Sequence, residues 1–205
     1  MRCRSCAFAP RRCKTRSLPA SVRWRRSWAP TMRPLSRPVA KRRRGEVVEP
    51  VNFNAPGQLV IAGNKAAVER AIAVGEARGA KRGVMLPVSA PFHSSLLKRA
   101  AERLAQRLAR VNILSPAIAV LHNVDVAEDP APDAIRAALA RQAASPVRWA
   151  ETIRAFAARG VTHVIECGPG KVLSGLVRRI DENLTTFALN DRASIDEALA
   201  AIQAA

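Results

Sequence analysis

The stretch Val161-Thr162-His163-Val164-Ile165-Glu166-Cys167-Gly168-Pro169-Gly170-Lys171 joins an apolar run to a tight turn and then to an amphipathic segment. The apolar run predicts a buried strand over 161–167, and Gly168-Pro169-Gly170 predicts a turn into a helix over 171–181. A strand over 185–189 follows, and Ser194 is expected to cap a last helix. Strands that alternate with helices are typical of an α/β protein with a mostly parallel sheet.

The same alternation extends toward the N-terminus as far as residue 45. Strands are predicted over 47–53, 58–63, 81–88 and 117–123, and helices over 64–78, 94–110, 133–142 and 149–159. Asn64 is placed to cap the first of these helices, and Gly79 to end it. The segment from residue 45 to the C-terminus therefore reads as one α/β body.

Charge divides the chain at residue 44. Residues 1–44 hold thirteen Arg and two Lys with no acidic residue, which gives +15, whereas residues 45–205 carry only +3. The body is therefore nearly neutral, and its 161 residues are enough for a core if they form a complete domain. No apolar run reaches the ~18 residues of a membrane span, so no membrane partner is expected. The one cysteine of the body, Cys167, is predicted to be buried, and this sparse use of cysteine favours the cytoplasm.

A second informative stretch is Pro87-Val88-Ser89-Ala90-Pro91-Phe92-His93-Ser94-Ser95-Leu96-Leu97, which places a histidine between an extended segment and a helix. Histidine titrates near neutrality and can serve as the general base for a serine or cysteine nucleophile. No G-x-S-x-G elbow occurs in the 205 residues. The serines nearest in sequence to His93, and Ser174, lie outside such a motif, so none of them is expected to be a nucleophile.

Several blocks of the body, taken together, resemble the malonyl-CoA:acyl-carrier-protein transacylases of fatty-acid synthesis. The resemblance runs from about Gly45 to the C-terminus and covers roughly the C-terminal half of that family. The blocks are Val51-Asn52-Phe53-Asn54-Ala55-Pro56-Gly57-Gln58-Leu59-Val60-Ile61-Ala62-Gly63, Ala90-Pro91-Phe92-His93-Ser94, Asn123-Val124-Asp125, Arg141-Gln142 with Pro146-Val147-Arg148-Trp149, and Glu166-Cys167-Gly168-Pro169-Gly170-Lys171-Val172-Leu173.

The resemblance implies a fold, a reaction and site residues. The implied fold is an α/β-hydrolase-like acyltransferase domain, represented by its C-terminal part over 93–205, with a partial ferredoxin-like subdomain over 45–92. The implied reaction moves a malonyl group from malonyl-CoA to the phosphopantetheine thiol of acyl carrier protein, without a cofactor or a metal. His93 matches the catalytic histidine and Gln142 the residue whose backbone carbonyl holds its ring. Asn54, in the turn at 54–57, is expected to line the cleft or only to form the turn.

Three features of the family have no counterpart in this sequence: the nucleophilic serine, the oxyanion-hole glutamine and the arginine that pairs with the malonyl carboxylate. Because such groups act as a unit, we expect the chain to be a fragment that is inactive alone. Without the N-terminal half the central sheet would have open strand edges and uncovered apolar surface, so we also expect poor solubility. One alternative is a non-enzymatic subunit that completes a split acyltransferase or binds acyl carrier protein. Another, ranked lower, is a nucleic-acid binder that uses its basic N-terminal arm.

Residues 1–44 match nothing in that family and are predicted to be out of frame or disordered. Read in a shifted frame with permissible codons, Cys13 to Ala29 give Gln-Asp-Ala-Val-Pro-Ala-Gly-Val-Gly-Ala-Met-Ala-Ala-Ile-Leu-Gly, the segment expected of a member. This indicates a single-base frameshift near Arg44. A transit peptide is the main alternative, and Cys3-x-x-Cys6 with Cys13 lacks a fourth zinc ligand at usable spacing.

The other conspicuous residues have plain structural interpretations. Gly168-Pro169-Gly170-Lys171 lacks the spacing of a phosphate-binding loop, so it is interpreted as a strand-to-helix turn. His122 and His163 lie on or beside predicted strands and are expected to be structural. His93 is therefore the main candidate catalytic residue of the sequence.

Overall fold

Two sheets organise the part of the chain that the computed structural model describes, which comprises residues 19–25, 46–77, 79–80 and 82–204. The first is antiparallel, has the order β2-β3-β1-β4, and consists of β1 Pro19–Arg25, β2 Val48–Ala55, β3 Gln58–Asn64 and β4 Arg82–Leu86. The second pairs β5 His163–Cys167 in parallel with β6 Thr185–Leu189. The expectation of a mostly parallel sheet is therefore wrong for the larger of these two sheets.

A two-residue turn explains the antiparallel pairing of β2 and β3. Ala55 lies opposite Gln58, so only Pro56 and Gly57 form the connection. Gly57 has a φ of 69°, a left-handed conformation that glycine adopts without steric cost. Parallel strands need a crossover of a dozen or more residues, so a connection this short permits only a hairpin.

Six helices of eight or more residues lie in the described part of the chain. They are α1 Lys65–Ala77, α2 Lys98–Leu108, α3 Pro132–Gln142, α4 Trp149–Ala158, α5 Val172–Ile180 and α6 Arg192–Gln203, with a 3₁₀ turn at Ser95–Leu97 before α2. The bounds follow the sequence prediction to within a few residues. The cap of α6 is Asp191, which accepts from the Ser194 backbone N–H, while the Ser194 hydroxyl lies at the third helical position.

The core consists of three apolar clusters. One joins Leu59 and Ile61 of β3 to Val68 of α1. The second, formed by Val51, Val60 and Ala62, occupies the opposite face of the same sheet. The third, formed by Ile153, Val177 and Leu184, lies between α4 and α5. Side chains of β3 alternate between the first two clusters, so both faces of the antiparallel sheet are buried.

Contacts distant in sequence join the antiparallel sheet to the C-terminal part. Val147 forms a parallel bridge with Asn52 of β2, and its N–H donates to the Val51 carbonyl at 2.8 Å. Arg179 of α5 donates to the Gln58 side chain and, at 3.1 Å, to the Pro56 carbonyl. The hairpin of β2 and β3 is thus held by residues about 95 and 120 positions further along the chain.

Two expectations concern segments where the structure differs or gives no description. The strand predicted over 117–123 is wrong, because the structure has only a single bridge there, between His122 and Ala127. Of residues 1–44, the structure describes 19–25, which form β1. The rest of that segment, with Cys3, Cys6 and Cys13, lies outside the described residues.

Candidate active site

His93 lies in a short loop that places its backbone in an unusual conformation. Its φ is 62°, in the left-handed region that non-glycine residues seldom adopt. The loop is fixed on both sides, because the Phe92 N–H donates to the Ala90 carbonyl at 2.9 Å and the Ser94 hydroxyl donates to the Pro91 carbonyl at 2.6 Å. Strain of this kind persists only where surrounding contacts hold it, and it occurs often at active sites.

Glu49 of β2 anchors the turn that follows the histidine. Its carboxylate accepts from the Ser95 backbone N–H at 2.8 Å and from the Ser95 hydroxyl at 2.7 Å. A carboxylate at the first turn of a helix satisfies N–H groups that have no partner within the helix. Through this contact the antiparallel sheet sets the position of His93.

The ring of His93 contacts the backbone of α3. Its Nδ1 lies 2.9 Å from the carbonyl oxygen of Gln142, the last residue of that helix. A carbonyl can only accept, so in the neutral ring Nδ1 carries the hydrogen and Nε2 keeps its lone pair. Among the described residues this is the only hydrogen bond of the ring. The structure therefore brings His93 and Gln142 together and leaves Nε2 available for a hydroxyl.

The Gln142 carbonyl is available because of its place in the helix. The last four carbonyls of an α-helix lack partners within the helix and are satisfied by other groups. Past the helix end, the Val147 carbonyl accepts from the Phe53 N–H at 2.9 Å. The end of α3 is thus tied to β2, the strand that also carries Glu49.

A polar network surrounds the loop that contains Asn123 and Asp125. Asp125 accepts from Arg141 at 2.5 Å, and its backbone carbonyl accepts from Arg148 at 3.2 Å. The Arg148 guanidinium also donates twice to the Glu151 carboxylate. Hydrogen bonding between these two side chains lowers the pKa of Glu151 and raises the pKa of Arg148. The network connects the residue before Gln142 to the start of α4.

The energetics of the Asp125–Arg141 pair are modest. The two side chains are 37% and 51% exposed, and ion pairs this accessible contribute about 0–1 kcal/mol. The other carboxylate oxygen of Asp125, Oδ1, is buried and has no hydrogen-bond partner among the described residues. A buried acceptor without a partner costs about 1–3 kcal/mol. Thus the pair brings the fold little net stability.

The turn at 168–170 has the structural role expected of it. Gly168 and Gly170 have φ values of 137° and 104°, which favour glycine. Glu166 reaches across the turn to the start of α5, where its carboxylate accepts from the N–H groups of Leu173 at 3.1 Å and Ser174 at 2.8 Å. Burial raises the pKa of Glu166, but these hydrogen bonds, with one from the Ser174 hydroxyl, outweigh that effect and lower it.

The remaining singled-out residues lie away from this contact or have partners elsewhere. Asn54 is part of strand β2, so its expected place in the turn is wrong. Cys167 is exposed, so the expectation of a buried thiol is also wrong. His163 stacks on Phe187 with ring centroids 6.2 Å apart, and the Nε2 of His122 is buried without a partner among the described residues.

The hydroxyls of three serines are engaged in hydrogen bonds. Ser94 donates to the Pro91 carbonyl, Ser95 to Glu49, and Ser174 to Glu166. Within the described residues none of these hydroxyls is hydrogen-bonded to the His93 ring. These serines thus fill local structural roles, in agreement with their position outside a nucleophile elbow.

The described residues contain neither a candidate metal-binding cluster nor a candidate membrane-spanning helix. No group of three or more metal-ligating side chains lies close enough there to hold an ion. Of the helices in the same part of the chain, none combines the length and the apolar character needed to cross a bilayer.

Comparison with known proteins gives concordant matches in sequence and structure. The chain is 52% identical over 155 residues to "Malonyl CoA-acyl carrier protein transacylase" of Salmonella typhimurium, a match that covers 76% of this chain and 50% of that protein. It is 44% identical over 157 residues to the Bacillus subtilis protein of the same name, covering 76% and 49%. No family model matches the chain.

Among solved structures, the acyl-carrier-protein S-malonyltransferase of Burkholderia pseudomallei 1710b is similar with a TM-score of 0.83 and 50% identity, covering 90% of this chain and 59% of that one. A malonyl-transacylase solved in complex with a type II polyketide synthase acyl-carrier protein gives a TM-score of 0.83 at 43% identity, covering 90% of this chain and 59% of that one. The chain spans about half the length of the curated relatives it matches. In sequence and in fold, it corresponds to the C-terminal half of the malonyl CoA-acyl carrier protein transacylase family.

Proposed function

We propose that this chain supplies the general base for malonyl transfer from malonyl-CoA to the phosphopantetheine thiol of acyl carrier protein. The observation that carries the proposal is the hydrogen bond from His93 Nδ1 to the Gln142 carbonyl. It fixes the tautomer in which Nε2 can take a proton from a serine hydroxyl. Relatives about 50% identical that are named for this reaction support it.

The chemistry assigned to His93 is a two-step proton transfer. His93 Nε2 takes the proton of a nucleophilic serine while the serine oxygen attacks the malonyl thioester carbon, and coenzyme A leaves as its thiol with a proton from the ring. In the second step Nε2 takes the proton of the carrier-protein thiol while the sulfur attacks the malonyl ester carbon to form a thioester, and the serine oxygen leaves with the proton returned from the ring. A base of this kind contributes about 10²–10⁴-fold to the rate. The serine belongs to the G-H-S-x-G elbow of the family.

We further propose the finer features of the fold. The antiparallel order β2-β3-β1-β4 with helix α1 supports a ferredoxin-like subdomain. The sequence prediction covers only the part of this subdomain at residues 45–92. The parallel pair β5 and β6, with α5 and α6 packed beside it, supports the C-terminal part of an α/β-hydrolase-like acyltransferase domain. We also propose that the reaction needs no cofactor and takes place in the cytoplasm.

The test joins residues 46–205 to the preceding half of the Burkholderia pseudomallei relative, which is 50% identical where the structures align. We expect the chimaera to transfer malonyl groups to acyl carrier protein, and His93→Ala to lower kcat by about 10²–10⁴-fold. The matched control is His163→Gln, because the His163 ring stacks on Phe187 and, among the described residues, hydrogen-bonds only to the neighbouring Thr162. A His93→Ala chimaera as active as its parent would contradict the proposal.

The full chain is assayed beside the chimaera, both alone and mixed with a separately produced N-terminal half. Transfer only in the mixture would favour the interpretation as a subunit of a split acyltransferase. Transfer by the chain alone would show that it contains its own nucleophile. Salt-sensitive binding of DNA that depends on residues 1–44 would favour the nucleic-acid alternative instead.

A further inference from the structure

We propose that Asp125 and Arg141 are a positioning pair that aims the Gln142 carbonyl at His93, and so sets the tautomer of the base. The sequence block Asn123-Val124-Asp125 thereby acquires a role that the general-base mechanism does not include. The catalytic consequence rests on the proposed function. The effect on the ring does not, because the contacts lie within the described residues.

The first step of the argument is the position of Arg141. It immediately precedes Gln142 at the end of α3, and its guanidinium lies 2.5 Å from Asp125 Oδ2. Helix ends fray because their last carbonyls lack partners within the helix. A side chain that is tied down one residue before the frayed end restricts the direction of the next carbonyl.

The second step is that the segment after Gln142 is tied to the same loop. The Arg148 N–H donates to the Asn123 carbonyl at 3.1 Å, and its guanidinium donates to the Asp125 carbonyl at 3.2 Å. Gln142 thus lies in a stretch with an anchor directly before it and another six residues after it. Both anchors attach to the loop at 122–127.

The third step is the stiffness of that loop. The His122 N–H donates to the Ala127 carbonyl at 2.9 Å, and the Val126 N–H donates to the His122 carbonyl at 2.8 Å. Val126 has a φ of 57°, a left-handed conformation that is rare for a β-branched residue. Because two hydrogen bonds hold the loop in this conformation, the loop can restrict the position of the end of α3.

The fourth step separates positioning from stability. Both side chains of the pair are exposed by more than a third, and Asp125 Oδ1 is buried without a partner among the described residues. Such a pair is a weak source of stability, so we expect its removal to cost the fold little. A local change at His93 can therefore be separated from unfolding.

The experiment measures the His93 tautomers directly. The full chain is labelled with ¹⁵N-histidine, and the ring-nitrogen shifts are read at a pH two units above the midpoint found by titrating the same sample. His93→Gln assigns the signal. We expect the ratio of the Nδ1–H to the Nε2–H form to fall by about threefold or more in Asp125→Ala and in Arg141→Ala. An unchanged ratio in both variants would overturn the proposal.

The matched control lies on the same helix. Asp133 pairs with Arg136 at 2.5 Å in the first turn of α3, away from Gln142. Asp133→Ala removes an ion pair of the same kind from the same element and should leave the ratio unchanged. An equal fall in this control would show that only the stability of α3 matters, and would overturn the positioning role.

A double variant tests whether the two residues act as a pair. In Asp125→Ala/Arg141→Ala the ratio should equal that of either single variant, because each single change already removes the contact. Ratios that fall multiplicatively would show independent effects and contradict the pair. Arg141→Ala, at a half-exposed side chain, keeps the test decisive if Asp125→Ala fails to fold.

Kinetics in the chimaera give a second measurement. Arg141→Ala should lower kcat by about threefold or more with KM unchanged, since the proposed role of the pair is exerted only through the base. A rise in KM with constant kcat would contradict the role. An inactive parent chimaera would count against the proposed function alone, because the ring-nitrogen ratios in the full chain would still decide the positioning pair.

Discussion

At the scale of single residues, the backbone of His93 is the least ordinary feature of the site. A left-handed conformation costs a non-glycine residue roughly 1–2 kcal/mol, and His93 adopts it with a φ of 62°. The conformation allows the ring to reach the Gln142 carbonyl while the next residues begin the turn that Glu49 caps. The site thus combines a ring fixed by a hydrogen bond with a backbone that favours glycine.

Glycine at this position should therefore stabilise the fold relative to alanine. Both His93→Gly and His93→Ala remove the ring and its hydrogen bond, but only glycine removes the left-handed penalty of about 1–2 kcal/mol. Glycine also gives the unfolded chain more freedom, which offsets about 0.5–1 kcal/mol. We expect His93→Gly to be more stable than His93→Ala by about 0.5–1 kcal/mol in urea unfolding. A less stable glycine variant would show that the left-handed backbone is not strained.

The sequence indicated the two candidate residues that the structure brings into contact, but not the residues that surround them. His93 could be singled out from its Pro-flanked segment, and Gln142 from the family resemblance. The anchor from Glu49 and the contacts of Asp125 join residues 16 to 46 positions apart. Periodicity reports neighbours within one element, so no local pattern could indicate these contacts.

At the scale of elements, the strand-turn-helix of β5 and α5 depends on Glu166. Its carboxylate accepts the N–H groups at the start of α5, and its pKa is lowered by these hydrogen bonds. A lowered pKa means that the stabilisation is complete above the unfolded value. It is lost as the pH falls through the lower folded value.

Glu166→Gln should therefore remove both stability and part of its pH dependence. We expect a loss of about 1 kcal/mol at pH 7, comparable to the loss of a helix cap. The difference from the parent should shrink as the pH falls below the usual glutamate value of 4.5. Urea unfolding from pH 7 to pH 3 measures it, with Glu102→Gln on the exposed face of α2 as the control. A constant difference across that range would contradict the role.

Elements with a clear period were predictable, and those that depend on pairing were not. The strand predicted at 185–189 is found at Thr185–Leu189, and the helix predicted over 149–159 is found at Trp149–Ala158. The segment at 117–123 has the apolar run of a buried strand but pairs only through one bridge. A strand is stable only when it pairs with another strand. The local sequence does not show which segment, if any, pairs with it.

At the scale of the whole molecule, an apolar segment lies uncovered between α2 and α3. Leu114 and Ile118 are 74% and 81% exposed, and Val120 is also exposed. Scattered apolar residues are normal on a surface, but several within one short segment form a patch that favours association.

Polar replacements in that segment should reduce self-association. We expect the parent chain to elute as oligomers, and Leu114→Ser/Ile118→Ser to shift it toward the monomer in size-exclusion chromatography with light scattering. The control is Val74→Ser, an exposed apolar residue on α1. A parent chain that is already monomeric would contradict the expected role of the patch, and an equal shift with the control would show that its position is unimportant.

The contacts from Arg179 to the turn of the β2–β3 hairpin can form only late in the synthesis of the chain. Gln58 and Pro56 leave the ribosome 121 and 123 residues before their partner. At about 5–20 residues per second, the hairpin waits roughly 6–24 s for that partner to be made. During this interval the turn lacks its hydrogen bonds from Arg179, and the neighbouring face of β2 lacks the α5 helix that later covers it. The nascent chain therefore passes through a period in which chaperones and proteases compete with folding for the same exposed strand.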